Sequence, residues 1–216
     1  MSHVRQHVIF DLNGTLINSS ESILASISRA FDESNQVLRY PLTNKVIGPP
    51  LKETLSYLSG TEDPSTLKLL SDRFKKNYDE IGFLQTKVYP GISAMLSKLM
   101  RHNIYMYVVT NKRIVPTLKI LDHLGWNQYF LSVFCIDSFS GFVKSKADLI
   151  KHILEIHNIK NEVLYIGDTE EDMIASSSAK VPFVFVKWGY GSLAFSDQHF
   201  QVSKPEQILD FIMSNK

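Results

Sequence analysis

Asp11 follows directly on the apolar run Val8-Ile9-Phe10 and stands just ahead of Gly14-Thr15. A carboxylate at the end of a buried strand can hold a cation or attack an electrophile, and open α/β sheets build their sites at such ends. Gly14 permits the tight turn out of the strand, and Thr15 offers a hydroxyl and an N–H to the same crevice. Two further predicted strand ends carry polar clusters, Thr110-Asn111 and Asp168 with Asp172, and a loop carries Lys144 and Lys146. Carboxylates from separate strands suit a hard cation such as Mg²⁺, which takes oxygen ligands. A lysine and a threonine hydroxyl suit the oxygens of a phosphoryl group. Residue types alone therefore point to phosphoryl chemistry with a metal. Each element also has a plainer reading. Asp11, Thr110-Asn111 and Asp168 can cap helices, Asp172 can be a solvated helix residue, and a single lysine can be a surface charge.

These groups can meet if strands alternate with helices in a parallel sheet, where the carboxyl ends of the strands emerge on one side. Apolar runs predict strands at 8–10, 104–109, 133–136, 163–166 and 182–186. Helical spacing begins at 20–31, with Ser20 as N-cap, and recurs at Leu51, Leu55 and Leu58. Asp63-Pro64 opens a further helix through Leu67, Leu70, Phe74 and Tyr78, with Asp63 as N-cap and Pro64 at the first helical position. Later helices run through Ile92 to Leu99, through Leu118, Leu121 and Leu124, over 147–156, from Thr169, and through Ile208 to Ile212. The sequence predicts no strand between the first helix and about residue 84, so an all-helical block interrupts the alternation and looks like a lid. The expected architecture is a Rossmann-like parallel α/β core, residues 1–17 with 86–216, carrying an all-helical cap domain at 18–85.

Four motifs in order bring a family into view. Asp11-Leu12-Asn13-Gly14-Thr15-Leu16 resembles the first motif of the haloacid dehalogenase-like hydrolases, Asp-x-Asp-Gly-Thr-Leu, with Asn13 at the second Asp. Thr110-Asn111-Lys112 resembles the second motif, and Gly167-Asp168-Thr169-Glu170-Glu171-Asp172 the fourth, Gly-Asp-x-x-x-Asp. The third is a single lysine. Lys146 in Lys146-Ala147-Asp148-Leu149-Ile150 fits one branch; Lys144 fits a branch whose Lys-Pro-x-Pro prolines are missing here, so Lys146 is preferred. Val108-Val109-Thr110-Asn111-Lys112 and Trp188-Gly189-Tyr190-Gly191 resemble the phosphoglycolate phosphatase-like branch, in which a helical cap follows the first motif. Gly48-Pro49-Pro50-Leu51 occurs in that branch as the cap segment that meets substrate. Read without the resemblance, Gly48-Pro49-Pro50 is a turn between helices and the Trp188 segment a surface loop with no chemistry assigned.

The resemblance implies in-line attack by Asp11 on a phosphate monoester. Mg²⁺ would sit on Asp11, Asp168 and the main-chain carbonyl of Asn13, with Asp172 in the same metal motif. Lys146 would offset charge, and Thr15, Thr110 and Asn111 would position the phosphoryl oxygens. Lys144 is kept as a second candidate for the substrate-binding lysine, and Gly48 and Pro49 as cap residues that touch substrate. In the family, position 13 protonates the leaving oxygen and then activates water. An amide does not titrate and can do neither; loss of such a group costs about 10² to 10⁴ in rate. The expected protein is a slowed Mg²⁺-dependent phosphatase for a small phosphorylated metabolite: phosphoglycolate, a nucleotide or a sugar phosphate. Its alternatives are a phosphate-ligand binding or regulatory protein and a mutase-type phosphotransferase.

Composition removes other classes. The 216 residues carry a net charge of +1 with basic residues scattered, which favours neither nucleic acid nor an anionic membrane. The sequence has no apolar run long enough to span a bilayer, and its first residues lack the apolar core of a signal peptide. Cys135 is the single cysteine, so no intrachain disulfide can form; it reads as a small core residue and fits a reducing cytoplasm. The expected state is a monomer or homodimer.

Overall fold

The apolar run ahead of Asp11 forms β1 (His7–Phe10), whose last three residues are buried, and two residues of strand, β2 (Ile17–Asn18), follow the turn. The fold is that of a computed structural model, and the residues described are 6–139, 145–191 and 200–214. The chain forms two compact units, Met1–Asn18 with Val88–Lys216, and Ser19–Lys87.

The second unit is helical. α1 (Ser20–Glu33), α2 (Leu51–Ser59) and α3 (Pro64–Glu80) bury Ile27, Phe31, Leu55, Leu58, Leu67, Leu70, Phe74 and Tyr78 in one cluster. These are the positions that helical spacing selects. Asp63 caps α3 by accepting from the Thr66 N–H, and Pro64 is the first helical residue, where its missing N–H costs no helical hydrogen bond. The N-cap of α1 is Ser19, one position before the expected Ser20, which is already helical.

The first unit resumes at Val88, the second residue of β3 (Lys87–Val88). It continues through α4 (Ile92–Arg101), β4 (Tyr105–Thr110), α5 (Ile114–His123), β5 (Phe130–Cys135) and α6 (Lys146–Ile156). It ends with β6 (Val163–Gly167), α7 (Glu170–Ser178), β7 (Phe183–Val186), β8 (Phe200–Val202) and α8 (Pro205–Ser214). In α5 the inward face is Pro116, Thr117, Ile120 and Leu121; Leu118, expected to face inward, is exposed. Cys135 is buried at the end of β5.

Six strands make one parallel sheet in the order β5-β4-β1-β6-β7-β8. The three-residue β8 is too short to give a period in the sequence and was not among the expected strands. β1 sits between β4 and β6, with Phe10 opposite both Val108 and Ile166. That register brings the residues just beyond β1, β4 and β6 to one edge of the sheet. Ile9, Tyr107, Val109, Tyr165, Phe183 and Phe185 share a buried cluster with Leu149, Ile150 and Ile153 of α6. Packing of α6 on this face fixes where its first residue, Lys146, lies.

Candidate active site

Asp11 is the first residue past β1, and its N–H donates to the carbonyl of Ile166 at 2.9 Å, which ties it to the neighbouring strand. The turn behind it is closed by Gly14 N donating to the Ile17 carbonyl at 2.8 Å and by Leu16 N and Ile17 N, each donating to the Leu12 carbonyl at 3.0 Å. Gly14 has φ +89°, and a Cβ there would lie 2.1 Å from Asp168 Oδ2. Both the backbone conformation and the close approach require glycine. Asn13 lies in this turn, half-buried and bridged to Ile17.

Lys146 is a buried lysine at the first position of α6, a helix capped by the Ser145 hydroxyl accepting from Asp148 N. Its Nζ donates to Asp11 Oδ1 at 3.0 Å and to Asp172 Oδ1 at 2.6 Å. Asp172 is fully buried in the first turn of α7, and not a solvated residue. Its Oδ1 also accepts from the Tyr165 hydroxyl at 3.0 Å, and its Oδ2 from Asp168 N at 3.2 Å, Thr169 N at 3.1 Å and Thr169 Oγ1 at 2.7 Å. Five donors engage this carboxylate, so it orients Lys146 and the Asp168 backbone as well as closing the capping box with Thr169.

Asp168 is held differently. Its Oδ1 accepts from Thr15 Oγ1 at 3.2 Å and its Oδ2 from Tyr190 N at 2.7 Å. Thr110 is buried at the end of β4, its hydroxyl accepting from Lys112 N at 3.2 Å. Asn111 Nδ2 donates to Glu171 Oε1 at 2.7 Å, which ties the end of β4 to the start of α7. The structure thus brings together Asp11, Thr15, Lys146, Asp168 and Asp172. Lys144 lies outside the described residues. Gly48 and Pro49 lie in the helical unit, exposed, between a 3₁₀ turn at Asn44–Val46 and α2. Pro49 also lines a cavity of about 890 Å³ with Val46, Thr54 and Tyr57 of that unit.

Two participants were not legible as such in the sequence. Tyr165 occupies an inward strand position and reads as core, which it also is. The Trp188 segment, read as a surface loop, instead reaches into the cluster through Tyr190 N and through Trp188 Nε1, which donates to the Thr15 carbonyl at 3.0 Å. The glycines at 189 and 191 were the available signal, since close backbone approach is a common reason for glycine.

The electrostatics follow from burial. Burial raises the Asp11 carboxyl well above the usual range, opposed by the Lys146 charge and reinforced by Asp172 and Asp168. Burial and then the Asp172 charge push Asp168 up to about 6. Burial opposes ionisation of Asp172 too, but the Lys146 ammonium and the donors around it hold that carboxyl below its usual value. Burial disfavours the Lys146 charge, yet Asp11 and Asp172 outweigh it and hold the amine protonated. Three carboxylates thus face one ammonium. Oxygens of Asp11, Asp168 and Asp172 all lie within 4.8 Å of one another. An all-oxygen set with unbalanced negative charge fits a hard divalent cation.

Residues 8–186 match the family described as haloacid dehalogenase-like hydrolase. The chain is similar to the tyrosine-protein kinase PtkA of Mycobacterium tuberculosis, 29% identical over 195 residues, or 89% of this chain and 66% of that protein. It therefore spans less than the full length of that relative. It is 27% identical over 210 residues to the phosphoglycolate phosphatase of Aquifex aeolicus, with 94% of each chain covered. Among solved structures it superposes on a predicted phosphatase from Clostridium acetobutylicum with TM-score 0.83 and 29% identity, over 98% of this chain and 99% of that one.

Proposed function

The chain belongs to the haloacid dehalogenase-like hydrolases, and from that membership we propose that it is a phosphatase acting on a small phosphate monoester, with Mg²⁺ as cofactor. The observation that carries the reading is the buried Asp11 carboxylate, held by Lys146 beside Asp168 and Asp172. A carboxylate oxygen of Asp11 attacks phosphorus in line, the ester P–O bond breaks, and an aspartyl-phosphate forms while the leaving oxygen takes a proton from water. Water then attacks the phosphorus, releasing inorganic phosphate and regenerating Asp11. Lys146 keeps its positive charge beside the transferring group throughout and stabilises the charge that spreads over its oxygens. The Thr110 hydroxyl orients those oxygens, as does the backbone N–H of Thr15, whose own hydroxyl donates to Asp168. Asp11, Asp168 and the Asn13 carbonyl would hold Mg²⁺, which when bound supplies further charge neutralisation to the phosphoryl oxygens.

Asn13 sets the rate. Its amide can neither donate a proton to the leaving oxygen nor deprotonate water. Phosphoglycolate is the first substrate to test, from the phosphoglycolate phosphatase relative; nucleotides and sugar phosphates follow. A second reading, phosphoryl transfer to a hydroxyl other than water, draws on the kinase named among the relatives and on slow hydrolysis through Asn13.

The test is phosphate release with Mg²⁺ from a panel of esters, comparing the chain with Asn13→Asp and Asp11→Asn. The expected result is a rise of about a hundredfold or more in Asn13→Asp and no turnover in Asp11→Asn. Equal, robust rates for the chain and Asn13→Asp would overturn the role given to position 13. Ester consumed without free phosphate, with phosphate found on an added alcohol, would select the transfer reading.

A further inference from the structure

Asp168 is held by the loop after β7 directly, and indirectly through Thr15. Tyr190 N donates directly to Asp168 Oδ2 at 2.7 Å. Trp188 Nε1 donates at 3.0 Å to the carbonyl of Thr15, whose hydroxyl is the donor to Asp168 Oδ1. The Tyr190 hydroxyl adds a third tie at 3.2 Å, to Asn18 Oδ1. On either side of Tyr190 the backbone lies against Asp168 more closely than any side chain allows. A Cβ on Gly189 would sit 2.3 Å from Asp168 Cβ, and one on Gly191 would sit 2.0 Å from the Asp168 carbonyl oxygen. Each carboxylate oxygen of Asp168 thus has one fixed protein donor and keeps a lone pair for another partner, whereas Asp172 is engaged by five donors.

We propose that Trp188-Gly189-Tyr190 is a clasp that presets the Asp168 carboxylate as a divalent-cation ligand, with Trp188 and Tyr190 as positioning residues. The inference rests on the metal role proposed for Asp168. An aspartate free to rotate would have to be ordered when the cation arrives; the clasp orders it beforehand. Outer partners of metal ligands characteristically govern affinity by about 10- to 100-fold.

Isothermal titration of the full chain with Mg²⁺, alongside Asp168→Asn, Trp188→Phe and Tyr190→Phe, tests this, with melting of each metal-free protein as control. Trp188→Phe keeps a ring beside Tyr89 and loses the indole donor. The expected result is strong weakening in Asp168→Asn, about a tenfold loss of affinity in Trp188→Phe, and a smaller loss in Tyr190→Phe, which retains its backbone N–H. If Trp188→Phe does not fold, Tyr190→Phe carries the test. Wild-type Mg²⁺ affinity in the clasp variants, with only the metal-free melt lowered, would reduce the loop to a structural element and overturn the proposal. Wild-type affinity in Asp168→Asn would instead overturn the metal role of Asp168, and the clasp with it.

Discussion

Lys146 Nζ donates to Asp11 Oδ1 at 3.0 Å across 135 positions of sequence, and both side chains are almost fully buried. The same ammonium donates to Asp172 at 2.6 Å. One positive charge therefore holds together the ends of β1, α6 and α7.

Removing that charge leaves two buried carboxylates facing each other. Lys146→Met keeps the length of the side chain and discards the ammonium. Urea denaturation in the presence of EDTA should show a loss of about 3 kcal/mol or more, the characteristic penalty for orphaning a buried charge. A loss within measurement error would mean that the carboxylates are neutralised by protons and not by the lysine.

Asp168 sets a pH dependence of known sign. Its carboxyl rises from 3.8 to about 6 in the folded state, through burial and then through Asp172. The folded chain therefore binds this proton more tightly than the unfolded chain does. The associated stability is present in full below about pH 4 and is lost as pH rises through about 6, amounting to about 3 kcal/mol at about 1.4 kcal/mol per unit. The raised Asp11 acts in the same direction, while the lowered Asp172 acts oppositely, its contribution being lost as acid protonates it. In EDTA, Asp168→Asn should gain melting temperature relative to wild type between pH 5 and pH 7.5. A constant difference across that range would show that Asp168 does not titrate there.

Asn13-Gly14 is a sequence prone to deamidation, in which the Gly14 nitrogen attacks the Asn13 side-chain carbonyl, ammonia leaves, and hydrolysis yields Asp or isoaspartate. In the fold that nitrogen donates to the Ile17 carbonyl at 2.8 Å, and the turn holds Gly14 at φ +89°. Peptide mass mapping of samples aged at pH 8 should therefore show slower deamidation folded than in urea. The folded sample should acquire phosphatase activity correspondingly slowly. Equal rates would show that the turn opens freely.

Residue pattern was enough to settle the class of the fold and the ends of its central strands. Short apolar runs closed by Asp11, Thr110 and Asp168, with helical spacing between them, leave a parallel α/β sheet as the arrangement that buries every run. The helical insertion was equally legible, because Leu55, Leu58, Leu67, Leu70, Phe74 and Tyr78 recur at a helical period and all are buried. These are local properties, set by side-chain periodicity and backbone conformation. Which groups meet depends on long-range packing. It brought Lys146 onto Asp11 because the buried face of α6 fixes the direction of its first side chain. It turned Tyr165 from a core residue into a donor to Asp172, and a loop read as surface into the clasp on Asp168. The first two join side chains, and the clasp uses the Tyr190 N–H and the space left by the missing Cβ atoms of Gly189 and Gly191, where glycine signals a close approach but not what approaches. They exist only once β1, β6 and the segment after β7 lie side by side.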